Sequence, residues 1–420
     1  MTQIQTVAGI QISYDSNKEK TIKENLSSLI DIIRAGDILV GFHISPYLLV
    51  ISSMIQVDSI KDERVIASLV FAAGVEIQGS QDIELQVFFE TLGRKAYDYV
   101  RKPTQEYHLL YPLNILRAKI PFGQIVIGQE TFEVLTWEEA GKKYNVPKLQ
   151  TEINNSIHFP HEQELWNHQG SVLILKIYSR SAEDAFRIGE KAFDKLLSSI
   201  NYILDTSISI RLNEASPHAK VIPSVGYGVF RPTGELDCPY TDIDFLNKQK
   251  LCSEQIDPNE LQVLLSLINS TRRTDQRFIE ALSEHNNGLK TTNWDTVFLS
   301  FWRVFEILSF GARTDYNMSD VVKRTCTLLR DNVNTQSFLN LCAIRRNSLV
   351  HQGIFSTEAE PLVLTIKFYS KRCLMKYENL IHFLKTEYMV EKYYELANLN
   401  SDQLNEQQLV IQAILNERAG

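Results

Sequence analysis

The sequence predicts an α+β protein, in which a mixed α/β region precedes an all-α helical bundle. Three observations lead to this fold class. Short Val- and Ile-rich runs alternate with helical patterns through the first 235 residues. Residues 232–257 contain Pro, Asp and Asn and have little periodicity, as expected for a boundary. Every later periodic segment has helical spacing, so we predict a mixed α+β domain over 1–235 and a helical domain over 256–420.

The first elements follow from the spacing of apolar residues. Residues 3–14 alternate loosely between apolar and polar and predict a short strand. A helix follows, with Ser16 as a candidate cap and an end near Gly36, because its apolar residues recur at helical spacing. Residues 38–55 fit either strands or a buried helix broken at Pro46, and the spacing leaves both alternatives open.

The rest of this region reads as alternating elements, with turns at Pro and Gly. In order, the pattern predicts helices over 60–73 and 80–100, short strands within 108–135, a helix over 137–144, a polar loop over 145–168, a strand over 171–178, a helix over 182–204 capped by Ser181, and strands over 207–211 and 225–230.

The helical domain is predicted to begin at Asp257-Pro258, a capping residue followed by proline at the first helical position. The helix starting there is expected to continue through Phe278. Further helices are predicted over 293–310, 319–329, 335–351, 361–399 (broken into two) and 404–415. Together they form a bundle of ordinary size.

The composition describes an ordinary globular protein. The chain has 420 residues, 44% of them hydrophobic and 22% charged, which excludes a disordered class and allows two or three domains. The net charge of −8 argues against indiscriminate nucleic-acid binding but leaves room for a local basic patch. Residues 303–351 contain seven basic and four acidic side chains, which is a local excess of positive charge.

The cysteine usage and the N-terminal residues predict a reduced, cytoplasmic protein. Five scattered cysteines form no C-x-x-C pair, so we expect neither a disulfide framework nor a cysteine zinc site. The first residues lack the basic and apolar segments of a signal peptide. The most apolar run, residues 38–55, contains His43, Pro46 and three serines, so we expect a buried segment and no membrane association. No cofactor is predicted.

The segment around Arg346, Asn347 and His351 carries the residues best suited to chemistry. On a helix, Asn347 and His351 are four residues apart and share a face, while Arg346 lies about 100° from Asn347. An imidazole can take the proton of a ribose 2′-hydroxyl near neutral pH, and a guanidinium can stabilise the charge that develops on phosphorus. The alternative is a solvated Arg-Arg pair near a helix end, with the histidine favoured by the helix dipole.

This segment resembles the signature of the HEPN superfamily, in which an arginine, usually followed by a polar residue, is separated from a histidine by four to six intervening residues. Arg346 with Asn347 matches this pattern, and Arg345 also fits the spacing. The ending His351-Gln352-Gly353 and the aromatic-rich run over 298–308 resemble the Apea-like HEPN group. The resemblance covers about residues 256–390.

Glu306 and Arg345 are expected to support the motif. Glu306 occupies an apolar stripe with Leu299, Trp302 and Phe310, where an unpaired carboxylate costs several kcal/mol, so an arginine of the motif helix is the expected partner. Arg345 shares a face with apolar residues and is predicted to pair inward with Glu306. The alternative is a surface ion pair between Glu306 and Arg303.

The resemblance implies a metal-independent endoribonuclease in which Arg346, Asn347 and His351 are catalytic. It further implies a homodimer, RNA as substrate (tRNA included), and a role in bacterial anti-phage defence or as a toxin. A phage-derived trigger or an antitoxin would then control it, and residues 1–235 would sense or restrain. Two alternatives remain: a non-catalytic HEPN module that binds RNA or a protein, and an effector gated by a cyclic oligonucleotide.

Other candidate motifs are weaker. His158, His161 and His168 could suggest a metal cluster, but the intervening proline and the lack of a helical ligand face favour a loop. The Gly226-Tyr-Gly228 segment lacks the lysine of a phosphate-binding loop. The aromatic residues Phe301, Trp302 and Phe305 are expected in the core rather than as a base-stacking platform.

Overall fold

The protein has the predicted α+β fold in a computed structural model. The structure describes residues 2–35, 40–79, 84–157, 169–205, 219–224, 226–241, 251–291 and 293–419, except 312, 314, 331–332, 353–358 and 398. The chain forms two compact units, one of Met1–Gln105 with Tyr178–Asp184 and the other of Glu106–Ile177 with Ala185–Gly420. The segment predicted as a domain boundary, residues 232–257, lies within the second unit.

The first unit begins with a β-hairpin. Strands β1 (Thr2–Val7) and β2 (Ile10–Asp15) pair antiparallel, and β3 (Ile55–Val57) pairs antiparallel with β2. Ala8 and Gly9 connect β1 to β2 with φ angles of 51° and 87°. Positive φ at both positions is typical of the two-residue turns that match the twist of paired strands. The single strand predicted over 3–14 is therefore two strands.

Helices complete this unit: α1 (Glu19–Ala35), α2 (Val40–Met54), α3 (Glu63–Ile77) and α4 (Leu85–Arg101). Helix α2 continues through Pro46, so the alternative in which Pro46 breaks the helix is wrong. The packing of α2 against both α1 and α3 outweighs the ~3 kcal/mol that an interior proline costs. Among the described residues, no helix is both long and apolar enough to span a membrane.

The second unit contains a six-stranded sheet with the order β5-β6-β7-β4-β8-β9. Its strands are β4 (Gln105–Leu113), β5 (Gln124–Ile127), β6 (Glu130–Thr136), β7 (Ser171–Ser179), β8 (Gly226–Phe230) and β9 (Leu236–Thr241). The central strands β4 and β7 are the most buried. Strand β9 occupies part of the predicted boundary because it pairs antiparallel with β8, which its weak periodicity did not indicate.

Three helices lie among these strands: α5 (Trp137–Lys143), α6 (Val146–Ile157) and α7 (Ala182–Leu204). Helix α6 corrects the polar loop predicted over 145–168. Leu149 and Ile153 are fully buried at helical spacing, and Pro147 is tolerated because it lies in the first turn. The predicted histidine loop with His158, His161 and His168, and the strand predicted over 207–211, lie outside the described residues.

The C-terminal helices follow the predicted order. They are α8 (Pro258–Ile268), α9 (Arg273–Lys290), α10 (Trp294–Phe310), α11 (Met318–Leu329), α12 (Val333–Gln352), α13 (Ala359–Phe383), α14 (Glu387–Leu396) and α15 (Ser401–Ala419). Asp257 caps α8 as predicted, accepting from Asn259 and Glu260. Phe278 belongs to a separate helix, α9, rather than to a continuation of α8.

Helix α10 packs between α9 and α13. A Cβ at Gly288 would lie 2.7 Å from the Phe301 ring, so glycine lets α9 approach α10 closely. Phe298, Phe301, Trp302 and Phe305 of α10 are buried, which confirms their assignment to the core. This packing fixes α10 as the support for the helix that carries the motif.

A buried polar cluster joins α7, α9 and α13. His285 Nδ1 lies 2.9 Å from Ser370 Oγ, and His285 Nε2 lies 3.4 Å from Asp205 Oδ2. Lys367 forms an ion pair with Asp205 at 3.1 Å. Burial lowers the pKa of His285, although Asp205 opposes this shift. The imidazole therefore favours its neutral form inside the protein.

We expect the free energy of unfolding to fall as the pH drops from 7 to 5. An unfolded chain takes up a proton at His285 near pH ~6.5. The folded pKa is lower, so the unfolded state binds more protons in this window and acid favours it. Thermal melts over a pH series should show a shallower slope for His285→Gln. The exposed His382, changed to Gln, should leave the slope unchanged. Equal slopes for His285→Gln and the wild type would contradict this assignment.

Candidate active site

The motif residues lie on the last turns of α12, which ends at Gln352. The chain has neither Gly nor Pro between Val333 and Gln352, so nothing in this segment interrupts the helix. At about 100° per residue, Arg346 and His351 differ by roughly 140° around the helix axis. One copy of α12 therefore presents these two residues on different sides.

Arg346 is held by Glu306 of α10. An Arg346 Nη2 atom lies 3.3 Å from Glu306 Oε1, and the Trp302 Nε1–H donates to the same oxygen at 2.9 Å. The Glu306 side chain is only 12% exposed. A carboxylate with this little solvent needs such partners, because an unpaired charge there would be strongly destabilising. The expected pairing of Glu306 with an arginine of the motif helix is confirmed, but the partner is Arg346, so the prediction that Arg345 pairs with Glu306 is wrong.

Arg345 binds a different carboxylate, that of Asp295 in the first turn of α10. The Arg345 Nη2 to Asp295 Oδ1 distance is 2.8 Å, and both side chains are largely buried. Asp295 was not among the site residues predicted from the sequence. A signal was present, because Asp295 precedes Glu306 by eleven residues and helical geometry places both on nearly the same face of α10.

The surface alternative for Glu306 is also wrong. Arg303 Nε lies 3.4 Å from Glu284 Oε1, so this arginine pairs with α9. Arg303 is mostly exposed, and an ion pair of this kind contributes little to stability. Among the basic residues for which ion pairs are described, only Arg346 of α12 pairs with Glu306.

Asn347 is exposed beside Arg346. The Arg346 Nη1–H donates to Asn347 Oδ1 over 3.5 Å, which is a long contact. The His351 side chain lies outside the described residues, although its backbone forms part of α12. Gly353, the predicted helix exit, also lies outside them. The described geometry therefore positions Arg346 and Asn347 together, with His351 one turn beyond Asn347.

Tyr316 lies near this pair and was missed by the sequence analysis. Its ring stacks on Phe310 with centroids 4.6 Å apart. Burial, and secondly the Glu306 carboxylate, raise the pKa of Tyr316. The phenol therefore stays protonated and can donate a hydrogen bond. The segment between α10 and α11 has no periodic pattern, so nothing in the sequence indicated that this residue would return to α10.

One side of α12 exposes large apolar residues. The Leu341 and Ile344 side chains are 63% and 65% exposed. Helical geometry continues this stripe through Ser348 to the position of His351, because these residues are spaced three, four and three apart. An exposed apolar stripe on an otherwise packed helix commonly marks an interaction surface.

The local excess of basic residues is mostly neutralised within the chain. Five arginines of residues 303–351 have carboxylate partners: Arg303 with Glu284, Arg313 with Asp315, Arg324 with Glu391, Arg345 with Asp295, and Arg346 with Glu306. For Lys323 and Arg330, the described part of the chain supplies no such partner. An open basic platform, as the composition suggested, is therefore absent around Arg346 among the described residues.

Within the described ranges, no group of three His, Cys, Asp or Glu side chains is arranged to hold a metal ion. Gly226 and Gly228 lie in strand β8, packed against α6. Compared with known proteins, the chain matches no family model, no curated protein and no solved structure. The site must therefore be judged on its own geometry.

We expect the Arg345–Asp295 pair to stabilise the packing of α12 on α10. Arg345→Ala should lower the free energy of unfolding by about 1–3 kcal/mol, because it leaves the largely buried Asp295 charge unpaired. Asp295→Ala should have an effect of similar size, and the double variant should cost less than the sum. Urea titrations of the four proteins give the coupling energy directly. Strict additivity would show that the pair contributes nothing.

Proposed function

We propose that the protein is a metal-independent endoribonuclease of the HEPN type. The reaction is attack of a ribose 2′-hydroxyl on the adjacent phosphodiester, which leaves a 2′,3′-cyclic phosphate and a 5′-hydroxyl. His351 acts as general base or acid. Arg346 stabilises the charge on the phosphate, and Asn347 positions the phosphate or the imidazole by a hydrogen bond.

The observation that supports this proposal most is the way in which Glu306 holds Arg346. Glu306, which accepts a hydrogen bond from Trp302, restricts the Arg346 guanidinium. The Arg346 side chain is nevertheless 23% exposed. An arginine has five N–H donors, so those not directed at Glu306 can bind a phosphate. A guanidinium that is oriented before substrate arrives loses little freedom on binding. Such an arrangement suits transition-state stabilisation.

A second copy of the chain would complete the site. Arg346 and His351 diverge by roughly 140° on one helix. Two motif helices related by a twofold axis bring two arginines and two histidines toward one cleft. The exposed Leu341 and Ile344 lie on the stripe that leads to His351, which makes this side of α12 the expected contact between the copies. We therefore include a homodimer in the proposal.

The proposed biological role is bacterial anti-phage defence or toxin action in the cytoplasm, by cleavage of cellular RNA, tRNA included. Residues 1–235 would sense a phage-derived trigger or restrain the nuclease, and an antitoxin could serve the same end. This part rests on the resemblance of the motif region to the Apea-like group. The mixed α/β character of these residues is compatible with a sensory role.

The alternative is a non-catalytic HEPN module that binds RNA or a partner protein. The pairing of five arginines with carboxylates favours a partner protein over RNA as the ligand of such a module, since little free positive charge remains near Arg346 to recruit RNA. The two functions differ in one property, which is turnover. A binding module would leave RNA uncleaved.

We expect the purified full-length protein to cleave RNA in the presence of EDTA. Cleavage by His351→Ala should fall by about 10²–10⁴-fold, and by Arg346→Ala about 10²–10³-fold. End-group mapping should find cyclic phosphates. His382→Ala and Arg303→Ala remove an exposed histidine and an exposed arginine elsewhere, and both should retain activity. Intact RNA in all reactions would favour the binding module, and equal decay with wild type and His351→Ala would remove His351 from the mechanism.

The dimer makes a separate prediction. Leu341→Asp combined with Ile344→Asp should weaken self-association in sedimentation experiments and should abolish cleavage, because charges on this stripe oppose its burial. Both residues are exposed in the single chain, so folding should persist by circular dichroism. A matched change at the exposed Gln262 and Ser266 of α8, also to Asp, should preserve the dimer. Full activity of the Leu341/Ile344 variant as a monomer would refute the composite site.

A further inference from the structure

Helix α15 exposes apolar side chains that a helix in water normally buries. Its start is well defined, because Asn400 Oδ1 accepts from the Gln403 N–H at 2.9 Å and Gln403 Oε1 accepts from the Asn400 N–H at 3.0 Å. Residues 401–415 are all exposed. The apolar residues, with 43–70% exposure, are Leu409, Val410, Ile411, Ile414 and Leu415.

An isolated helix gains little net stability from its own hydrogen bonds. The apolar residues of α15 also point in several directions, since Leu409, Val410 and Ile411 are consecutive. A helix that is apolar on most sides is typical of a segment enclosed by other protein. These properties indicate that α15 has a binding site outside its present contacts.

A groove of about 850 Å³ lies beside the first turn of α15, among α11, α12 and α14. Its wall is largely apolar and aromatic, and includes Cys326, Leu384, Met389, Tyr393, Leu396 and Leu404. Its three charged lining residues, Lys323, Arg330 and Lys392, are all basic. Lys392 forms an ion pair with Glu395, whereas the described part of the chain supplies no acidic partner for Lys323 or Arg330.

We propose that this groove binds α15 of a second copy of the chain, in a reciprocal exchange. The charges are complementary, because the exposed acidic residues Asp402 and Glu406 of α15 would meet the basic residues of the groove. Each copy carries both the helix and the groove. A twofold arrangement satisfies both pairs at once and closes without forming a filament.

The groove of the same chain is an unsuitable acceptor for the apolar end of α15. Leu404 already lines the groove, and α15 continues from it without a Gly or Pro through residue 419. Leu409 to Leu415 lie about 7–17 Å farther along the helix axis. Returning them to the same groove would require α15 to break, whereas exchange between copies leaves the helix intact.

RNA is a less suitable occupant. Two or three basic residues could contact phosphates. The apolar wall, however, can bury aliphatic side chains of a helix, whereas it gives a charged sugar-phosphate backbone no partner. The exchange would also bury the exposed apolar residues of α15, whereas RNA bound in the groove would leave them exposed to water. It is independent of the proposed RNA cleavage and needs no catalytic residue.

Disulfide trapping tests the exchange, because Cys326 lies in the groove wall. Single substitutions Leu409→Cys, Ile411→Cys, Ile414→Cys and Leu415→Cys are introduced into the full chain and oxidised mildly. At least one should give a covalent dimer on a non-reducing gel. The dimer should disappear when Cys326→Ser is added, since only the groove cysteine is then removed. A crosslink within one chain, or no crosslink at any position, would overturn the proposal.

A second measurement covers the case in which oxidation distorts the helix. Ile411→Asp with Ile414→Asp should weaken self-association by about a hundredfold in analytical ultracentrifugation. Asn405→Asp with Gln412→Asp adds the same charge at exposed positions on another side of α15 and should have a much smaller effect. Equal effects of the two pairs would overturn the exchange. Loss of RNA binding on changing Arg330→Glu, with the crosslink absent, would assign the groove to RNA instead.

The trapping experiment also separates this interface from the one proposed on α12. The crosslink should still form when Leu341→Asp and Ile344→Asp are present. Failure of the α12 dimer or of RNA cleavage would then leave the exchange intact, and failure of the exchange would leave the nuclease proposal intact.

Discussion

Two ion pairs determine how α12 lies on α10, and the proposed site depends on them. Arg345 binds Asp295 near the start of α10, and Arg346 binds Glu306 three turns later. Adjacent residues on a helix point about 100° apart, so two such contacts fix the rotation of α12 about its own axis. A shift of one residue would break both pairs and leave charges unpaired. This constraint turns Leu341, Ile344 and Asn347 toward solvent.

Burying a carboxylate such as Glu306 costs free energy unless hydrogen-bond donors or cations surround it. The Trp302 indole and the Arg346 guanidinium share one of its oxygens. A second buried carboxylate, that of Asp205, likewise has two partners, because it forms an ion pair with Lys367 and contacts the His285 imidazole. In both places a charge inside the helical bundle is paired across elements that are distant in sequence. Removing one partner of such a pair would leave a charge unpaired inside the protein, which is destabilising.

Two apolar surfaces are exposed on the C-terminal helices. The stripe on α12 and the exposed sides of α15 both present Leu and Ile side chains to solvent. Exposed apolar surfaces of this kind commonly mark interaction sites. The stripe on α12 is the contact proposed to bring Arg346 and His351 of two copies together. The apolar residues of α15 are the ones proposed to bind the groove of a second copy.

The sequence by itself determined the α+β class and nearly all of the C-terminal helices. It also determined the cap at Asp257 and the placement of Arg346 and Asn347 on one helix. These features follow from local periodicity and capping. Local rules failed at α6, at Pro46 and at β9, where packing or strand pairing outweighed the residue signals. Only the tertiary structure decided that Glu306 binds Arg346, that Asp295 binds Arg345 and that Tyr316 returns to α10. The two ion pairs join helices across 40 and 50 residues of sequence, and Tyr316 lies between two helices, six residues after Phe310. Which side chains meet depends on how the helices cross and how that segment folds back, and no local pattern encodes either.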